Sequence, residues 1–184
     1  MKTVFFALFV LVSGLPALAQ QQPYAGQQDR QIASLSEDDV AALLAGQGWG
    51  LALPAELNGY PGPIHVLELA DMLGLSAEQE AATRMIYERM QAQARSLGAQ
   101  YVQIESHLSQ SFRAGTIDAA QLAHMTEMSG QTLARLRTVH LAAHLEMIEL
   151  LTPSQIELYA DARGYVPGAS HDPAAHGAGH KMNH

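Results

Sequence analysis

Two long stretches of helical periodicity constrain the fold more than any other feature of this chain. Across residues 77–112, apolar or neutral residues recur at steps of 4, 4 and 3, an 11-residue repeat close to the period of an undistorted α-helix. Residues 118–150 carry a comparable face. The stripe positions are Ala82, Ile86, Met90, Gln93, Leu97, Tyr101, Ile104, Leu108 and Phe112, followed by Leu122, Met125, Ser129, Leu133, Leu136, His140, Ala143 and Met147. The short connection between the two stretches predicts an all-α fold built on a long antiparallel α-hairpin.

Shorter helices are expected on both sides of the hairpin. Turn and capping signals predict short helices after Ser36, over residues 51–56 and over residues 64–73, and a final helix over residues 153–163. Trp49 lies among three glycines, and we expect it to pin that turn to the helices. A hairpin whose first helix is roughly 54 Å long is too thin to bury its own apolar stripe. The stripe therefore predicts a homodimer or a surface for other proteins.

The first nineteen residues have the pattern of a secretory signal peptide. Lys2 supplies a positive charge, residues 4–12 form an apolar run, and Ala17 and Ala19 form a small-residue cleavage site. The apolar run is too short to span a bilayer, and no later segment is apolar enough, so stable membrane insertion is not expected. We expect cleavage after Ala19 and export, most simply to the periplasm. The remaining chain divides into a disordered leader (20–33), a helical domain (34–165) and a flexible His-rich tail (166–184).

Composition excludes several classes of function. The chain has 10 basic and 18 acidic residues, a formal net charge of −8, and loss of Lys2 with the signal peptide leaves 9 basic against 18 acidic residues, or −9. Nucleic-acid binding is therefore not expected. The absence of cysteine excludes disulfides, thiolate metal sites and cysteine nucleophiles. Neither a G-x-S-x-G motif nor a phosphate-binding glycine loop is found, so we expect a non-enzyme with no required cofactor.

A five-residue pattern, L-[ST]-x-x-Q, occurs at both ends of the predicted hairpin. In each copy the hydroxyl can accept a hydrogen bond from the third helical amide, while the Gln side chain reaches back to the N–H of the capping residue. The pattern is therefore a capping box that begins a helix. Its defining positions are Leu75, Ser76 and Gln79 in the first copy, and Leu151, Thr152 and Gln155 in the second.

The two copies, 76 residues apart around a long hairpin and behind a signal peptide, resemble the Spy/CpxP family of periplasmic LTxxQ proteins. The resemblance covers residues 73–163. It implies an all-helical, cradle-shaped dimer that chaperones unfolded envelope proteins without ATP or damps envelope-stress signalling; metal-handling relatives bind zinc, copper or nickel. This chain departs from the family in having Ser76 for Thr, an additional segment at residues 35–63, and a net negative charge where the chaperone members have basic concave surfaces. The negative charge argues against electrostatic capture of acidic clients and leaves hydrophobic and polar contact open.

The chaperone hypothesis places clients on the concave face of the hairpin, where they would be captured reversibly. Methionine suits such a surface because its flexible thioether adapts to many partners. The helical spacing of the methionines is also typical of an ordinary core, rather than of a copper site. The candidate client-binding residues are Met85, Met90, Tyr101, Met125 and Met128.

Histidines support a competing hypothesis, a periplasmic metal buffer or sensor that binds Zn, Cu or Ni. The tail carries four, at spacings of 5, 4 and 4, and neutral imidazoles in a flexible Gly/Ala segment can wrap an ion. A solubilising tail is the alternative. His140 and His144 form an H-x-x-x-H pair that can chelate one ion, or His140 is a hydrogen-bonded core residue. A third hypothesis is an envelope interaction protein with neither activity. The tail ligands would be His171, His176, His180 and His184.

Overall fold

The computed structural model describes residues 24–165, and this part of the chain is all-helical, as predicted. The predicted signal peptide and the four tail histidines lie outside the described residues. Within the described range there are seven helices: α1 (Glu37–Ala45), α2 (Leu53–Glu56), α3 (Pro63–Glu68), α4 (Ala70–Leu73), α5 (Ala77–Ala114), α6 (Ala119–Leu150) and α7 (Pro153–Ala162). The single helix predicted over residues 64–73 is two helices, because the backbone leaves helical geometry at Leu69.

The predicted hairpin is confirmed as α5 packed along α6. Arg89, near the start of α5, pairs with Glu146, near the end of α6, so the two helices are antiparallel. Gly115 ends α5 in the left-handed conformation, with φ of 64°, which glycine adopts without steric cost. The Asp118 side chain then accepts a hydrogen bond from the Gln121 amide at 2.8 Å and begins α6.

Two apolar clusters fill the described domain. The base cluster lies where α5 begins and α6 ends, and the middle cluster lies between α1 and the centre of the hairpin. Trp49 pins its turn as predicted, because its indole N–H donates to Asp39 Oδ1 at 2.8 Å and its ring packs 6.0 Å from that of Tyr101. The buried base residues are Val66, Leu73, Ile86, Met90, Ala143, Met147, Leu151 and Tyr159; those of the middle cluster are Ile32, Leu35, Leu43, Ala94, Tyr101 and Leu136.

Part of the predicted disordered leader is ordered. Residues 24–33 form successive turns, and Ile32 is buried in the middle cluster. Immediately afterwards, the Ser34 hydroxyl donates to Glu105 Oε2 at 2.6 Å, and the Ser129 hydroxyl donates to Glu105 Oε1 at 2.5 Å. One buried carboxylate thus joins Ser34, directly after the leader, to α5 and α6. The composition of residues 20–33 did not predict this ordered structure, because one buried isoleucine and one long-range hydrogen bond produce no local sequence pattern.

Both capping boxes form as predicted, and they also bind each other. Ser76 and Thr152 each accept from the amide of their own Gln and donate their backbone N–H to its side-chain oxygen. Gln79 Nε2 donates to Gln155 Oε1 at 2.9 Å, and Gln155 Nε2 donates to Gln79 Oε1 at 3.0 Å. The two motifs therefore close into a reciprocal amide pair, which we call the glutamine pair.

The remaining amide hydrogens of the glutamine pair bind helix ends. Gln79 Nε2 donates to the Leu150 carbonyl at 3.1 Å, the last residue of α6. Gln155 Nε2 donates to the Leu73 carbonyl at 3.3 Å, the last residue of α4. The last carbonyls of a helix have no intrahelical hydrogen-bond donor, and burying them without a partner costs free energy. Each glutamine supplies a donor for one such carbonyl. Four helix ends meet at one pair of side chains.

A close helix crossing depends on Gly98. A Cβ built at this position would lie 2.2 Å from the Leu43 carbonyl oxygen of α1, a contact that only movement of α1 could relieve. Gly130, on α6, has no atom within 4 Å of the corresponding Cβ position. The two glycines, both inside long helices, therefore differ in the room available for a side chain.

Gly98→Ala is expected to lower the free energy of unfolding by about 1–3 kcal/mol, because overpacking displaces α1. Gly130→Ala, its matched control, should raise it by about 0.5–1 kcal/mol, because alanine loses less backbone entropy in a helix. Urea unfolding followed by circular dichroism measures both. Equal effects from the two substitutions would contradict the close crossing.

Gln79→Ala and Gln155→Ala should each lower the free energy of unfolding by about 1–3 kcal/mol, because each leaves buried hydrogen-bonding groups of its partner unsatisfied. The double variant should lose less than the sum, with a coupling energy of about 0.5–3 kcal/mol in a double-mutant cycle. Gln110→Ala is the control, since Gln110 is exposed and bonds only Ser106 on its own helix. Additive losses would show that the pair is not coupled.

Candidate functional site

Buried polar side chains converge on one cleft at the base of the domain. The cleft has a volume of about 420 Å³ and lies between the segment preceding α3, the two hairpin helices and the turn after α7. Both histidines of the H-x-x-x-H pair line it. Other residues lining the cleft that bear on its chemistry are Trp49, Glu56, Met90, Arg163 and Tyr165.

The buried carboxylate of Glu56 holds the cleft together. Its Oε1 accepts from the Tyr159 hydroxyl at 2.5 Å and the Tyr165 hydroxyl at 3.0 Å, and lies 3.3 Å from Arg163 Nε. The Tyr159 hydroxyl in turn accepts from the Gly62 N–H at 3.1 Å. Burial, together with the hydrogen bond to Glu56, raises the pKa of Tyr159 far above its ordinary value, so the phenol stays a donor. These contacts fix the segment containing α2 to α7.

His144 has a defined tautomer. Its Nδ1 lies 2.7 Å from the Tyr60 carbonyl oxygen, which can only accept, so Nδ1 carries the proton. Glu56 Oε2 lies 3.8 Å from the same nitrogen. In the neutral ring, Nε2 then bears the free lone pair. The ring is closely packed, since a Cβ at Gly62 would lie 3.1 Å from its Cε1.

His140 lies one turn earlier on α6 and is only 3% exposed. Its Nε2 is buried and has no hydrogen-bond partner among the described residues. Burial, with the neighbouring His144, lowers the pKa of His140 below its ordinary value, which favours the neutral ring. His140 is therefore a core residue whose Nε2 is not hydrogen-bonded within the described residues, unlike the hydrogen-bonded core histidine considered from the sequence. The H-x-x-x-H pair predicted from the sequence is brought together in one cleft.

Metal ligation by carboxylates or further histidines is not supported at this cleft. In the part of the chain that the structure describes, no group of three or more His, Cys, Asp or Glu side chains is arranged to hold a metal ion. The four tail histidines lie outside that part. Of the histidine ligands predicted from the sequence, His140 and His144 are thus the two that the structure places in one cleft, which His65 also lines.

The five candidate client-binding residues do not share one surface. Met85 and Met128 are exposed, at 67% and 41%, and Met125 is half-buried. Met90 and Tyr101 are buried, in the base and middle clusters respectively, so the expectation that they face a client is wrong for this conformation. Their place on the stripe turns them towards the neighbouring helices.

The far end of the hairpin has a different character from the base. Residues 106–131, which we call the hairpin tip, contain no buried residue. Phe112, Leu122 and Met128 are exposed there, Phe112 at 56%. Sequence reasoning missed Phe112 and Leu122 as surface candidates, because their positions on the stripe look the same as those of core residues. Only the packing shows that the short helices stop before the tip.

Comparisons with known proteins return no match: no protein-family model, curated protein or solved structure is similar to this chain. Within residues 24–165, no helix combines the length and apolar character that crossing a bilayer requires. The site must therefore be interpreted from its own geometry.

Several cleft residues carried no sequence signal for the role they play. Glu56 ended a short predicted helix, and Tyr159 and Tyr165 followed the second motif without any pattern of their own. Tyr159 lies 103 positions from Glu56 in the chain, so their contact depends on tertiary structure. A carboxylate next to the turn-rich residues 58–63 was the one available hint.

Tyr159→Phe is expected to lower the free energy of unfolding by about 1–3 kcal/mol, because the buried Gly62 N–H and Glu56 Oε1 both lose a partner. Tyr165→Phe, the matched control, should cost less than about 1 kcal/mol, since Tyr165 is half-buried and Glu56 keeps its other partners. Urea denaturation measures both. A larger loss of stability for Tyr165→Phe than for Tyr159→Phe would contradict the conclusion that Tyr159 is the more important partner of Glu56.

Proposed function

We propose that the mature protein is a periplasmic, ATP-independent chaperone that binds exposed apolar segments of unfolded envelope proteins at the hairpin tip. The observation that carries this proposal is the absence of any buried residue across residues 106–131, together with the exposure of Phe112, Leu122 and Met128. Residues 30–33 bond only Ser109 and Arg113 of the tip, and leave these three large apolar side chains exposed. Large exposed apolar surfaces are typical of interaction sites.

The charge of the tip favours apolar contact. It contains one basic residue, Arg113, and two acidic residues, Asp118 and Glu127, although the whole chain has a net charge of −8. Burial of apolar area drives association without a nucleotide and without specific charge pairing. Met125 and Met128 add flexible side chains that can adapt to different sequences. Capture by such a surface forms no covalent bond and is therefore reversible.

The resemblance of the two L-[ST]-x-x-Q motifs to those of Spy/CpxP proteins supports the same class of function, and the signal-peptide pattern supports the periplasm. The tip is also the surface through which two copies would pair as the expected homodimer. Client binding and self-association therefore compete as uses of the tip, and the third hypothesis, an interaction protein without chaperone activity, corresponds to self-association alone.

Light scattering of an unfolding client protein, at equal molarity of client and chaperone and without nucleotide, tests the proposal. The chain from residue 20 onward should suppress aggregation, and the triple variant Phe112→Gln, Leu122→Gln and Met128→Gln should lose more than about half of this effect, since apolar burial scales with the area removed. Suppression should persist at 0.5 M salt, which screens exposed charges.

The matched control replaces three exposed apolar residues outside the tip: Leu44→Gln, Met72→Gln and Leu158→Gln. It should suppress aggregation as well as the unsubstituted chain. Failure of the unsubstituted chain to suppress aggregation would refute the chaperone proposal. If the tip variant keeps full activity but changes from dimer to monomer in sedimentation, the tip is a self-association surface instead.

A further inference from the structure

Three histidines line the cleft, and the tip proposal does not use the arrangement of the two that lie on α6. His140 and His144 are separated by one turn of α6 and line the same cleft. The Nδ1–H of His144 is bonded to the Tyr60 carbonyl, which orients the ring and leaves Nε2 as the lone-pair nitrogen. Histidines that ligate metals commonly donate their second ring nitrogen to a backbone carbonyl in this way.

A second and independent observation comes from His140. Its side chain is buried, and its Nε2 has no hydrogen-bond partner among the described residues. A buried polar nitrogen without a partner is uncommon in folded proteins and calls for an explanation such as an ion. The side chains of His144 and His140 thus line one cleft. Nε2 of His144 has a lone pair because Nδ1 carries the proton, and Nε2 of His140 has no hydrogen-bond partner among the described residues.

The neighbouring groups indicate which ion the cleft suits. Glu56 Oε1 is already engaged with Tyr159, Tyr165 and Arg163, and Oε2 lies 3.8 Å from the Nδ1 of His144, the nitrogen that faces away from the proposed ligand atom. Without a third His, Cys, Asp or Glu arranged for a metal in the described part of the chain, the cleft lacks the ligand number that zinc prefers. Met90 also lines the cleft and supplies the sole sulfur among its lining residues. Thioether and imidazole together are a soft donor set that selects monovalent copper.

We propose that the cleft is a Cu(I)-binding site whose ligands are His140 Nε2, His144 Nε2 and the Met90 thioether. The site is separate from the hairpin tip. It gives the helical spacing of Met90 a second role beside packing in the base cluster. Trp49, the chain's single tryptophan, lines the same cleft and reports on occupancy through its fluorescence.

The test uses the chain from residue 20 onward, with the four tail histidines replaced by Gln so that the tail does not compete. Cu(I) is titrated anaerobically against bicinchoninate, a chromophoric Cu(I) chelator. We expect one equivalent of Cu(I) per chain, quenching of Trp49 fluorescence, and a copper X-ray absorption spectrum with both imidazole nitrogen and sulfur neighbours.

Substitutions assign the ligands. His140→Gln and His144→Gln should each weaken Cu(I) binding at least about 10-fold, and Met90→Leu should weaken it and remove the sulfur neighbour. His107→Gln is the control: His107 is exposed on α5 and does not line the cleft, so its loss should change the affinity less than about 2-fold. Circular dichroism checks the fold of each variant.

Absence of Cu(I) binding once the tail histidines are replaced would overturn the proposal. An X-ray absorption spectrum of the bound ion without a sulfur neighbour would overturn the assignment of Met90. This spectrum is measured without any substitution in the cleft, so the result holds even if a ligand variant fails to fold. Zinc binding as tight as that of Cu(I) would overturn the choice of metal.

Discussion

The base of the domain depends on the glutamine pair. Gln79 and Gln155 each begin a helix through a capping box, and each then satisfies the other's amide and a carbonyl at the end of a further helix. This fixes the start of α7 beside the start of α5. Tyr159 lies on α7, so its hydroxyl reaches Glu56 only when α7 holds this position. The Glu56 network, and through it the shape of the cleft, follows from two side-chain amides.

The distribution of buried polar groups separates a rigid base from an open tip. Glu105 is the last buried residue of α5 and Thr132 is the first of α6, and beyond them the hairpin continues without a core. Tertiary packing supplies most of the stability of helices in proteins, so the tip relies on the base for its helical structure. A domain built this way can leave apolar side chains exposed at one end, because the other end holds it folded.

Local patterns predicted the elements of this fold, and tertiary contacts decided the site. Periodicity and capping chemistry identified the hairpin and both motif helices, since each signal lies within a few residues of its effect. The same stripe did not distinguish Met90, which is buried, from Met128, which is exposed, because periodicity shows a face and not what covers it. The contact of Gly98 with Leu43 and that of Glu56 with Tyr159 join distant parts of the chain, and no local pattern encodes them.

The proposed copper site and the proposed client surface share α6, but nothing in the geometry couples them. Met128 and His140 are 12 residues apart, roughly 18 Å along the helix. Coupling requires an element with two arrangements, each favoured by a different ligand. The ring of His144 is already held by Tyr60, and α6 runs unbroken from Ala119 to Leu150. A ligand that fills a site oriented in advance stabilises the base by mass action without moving the tip. The simplest interpretation is therefore one scaffold with two independent binding sites.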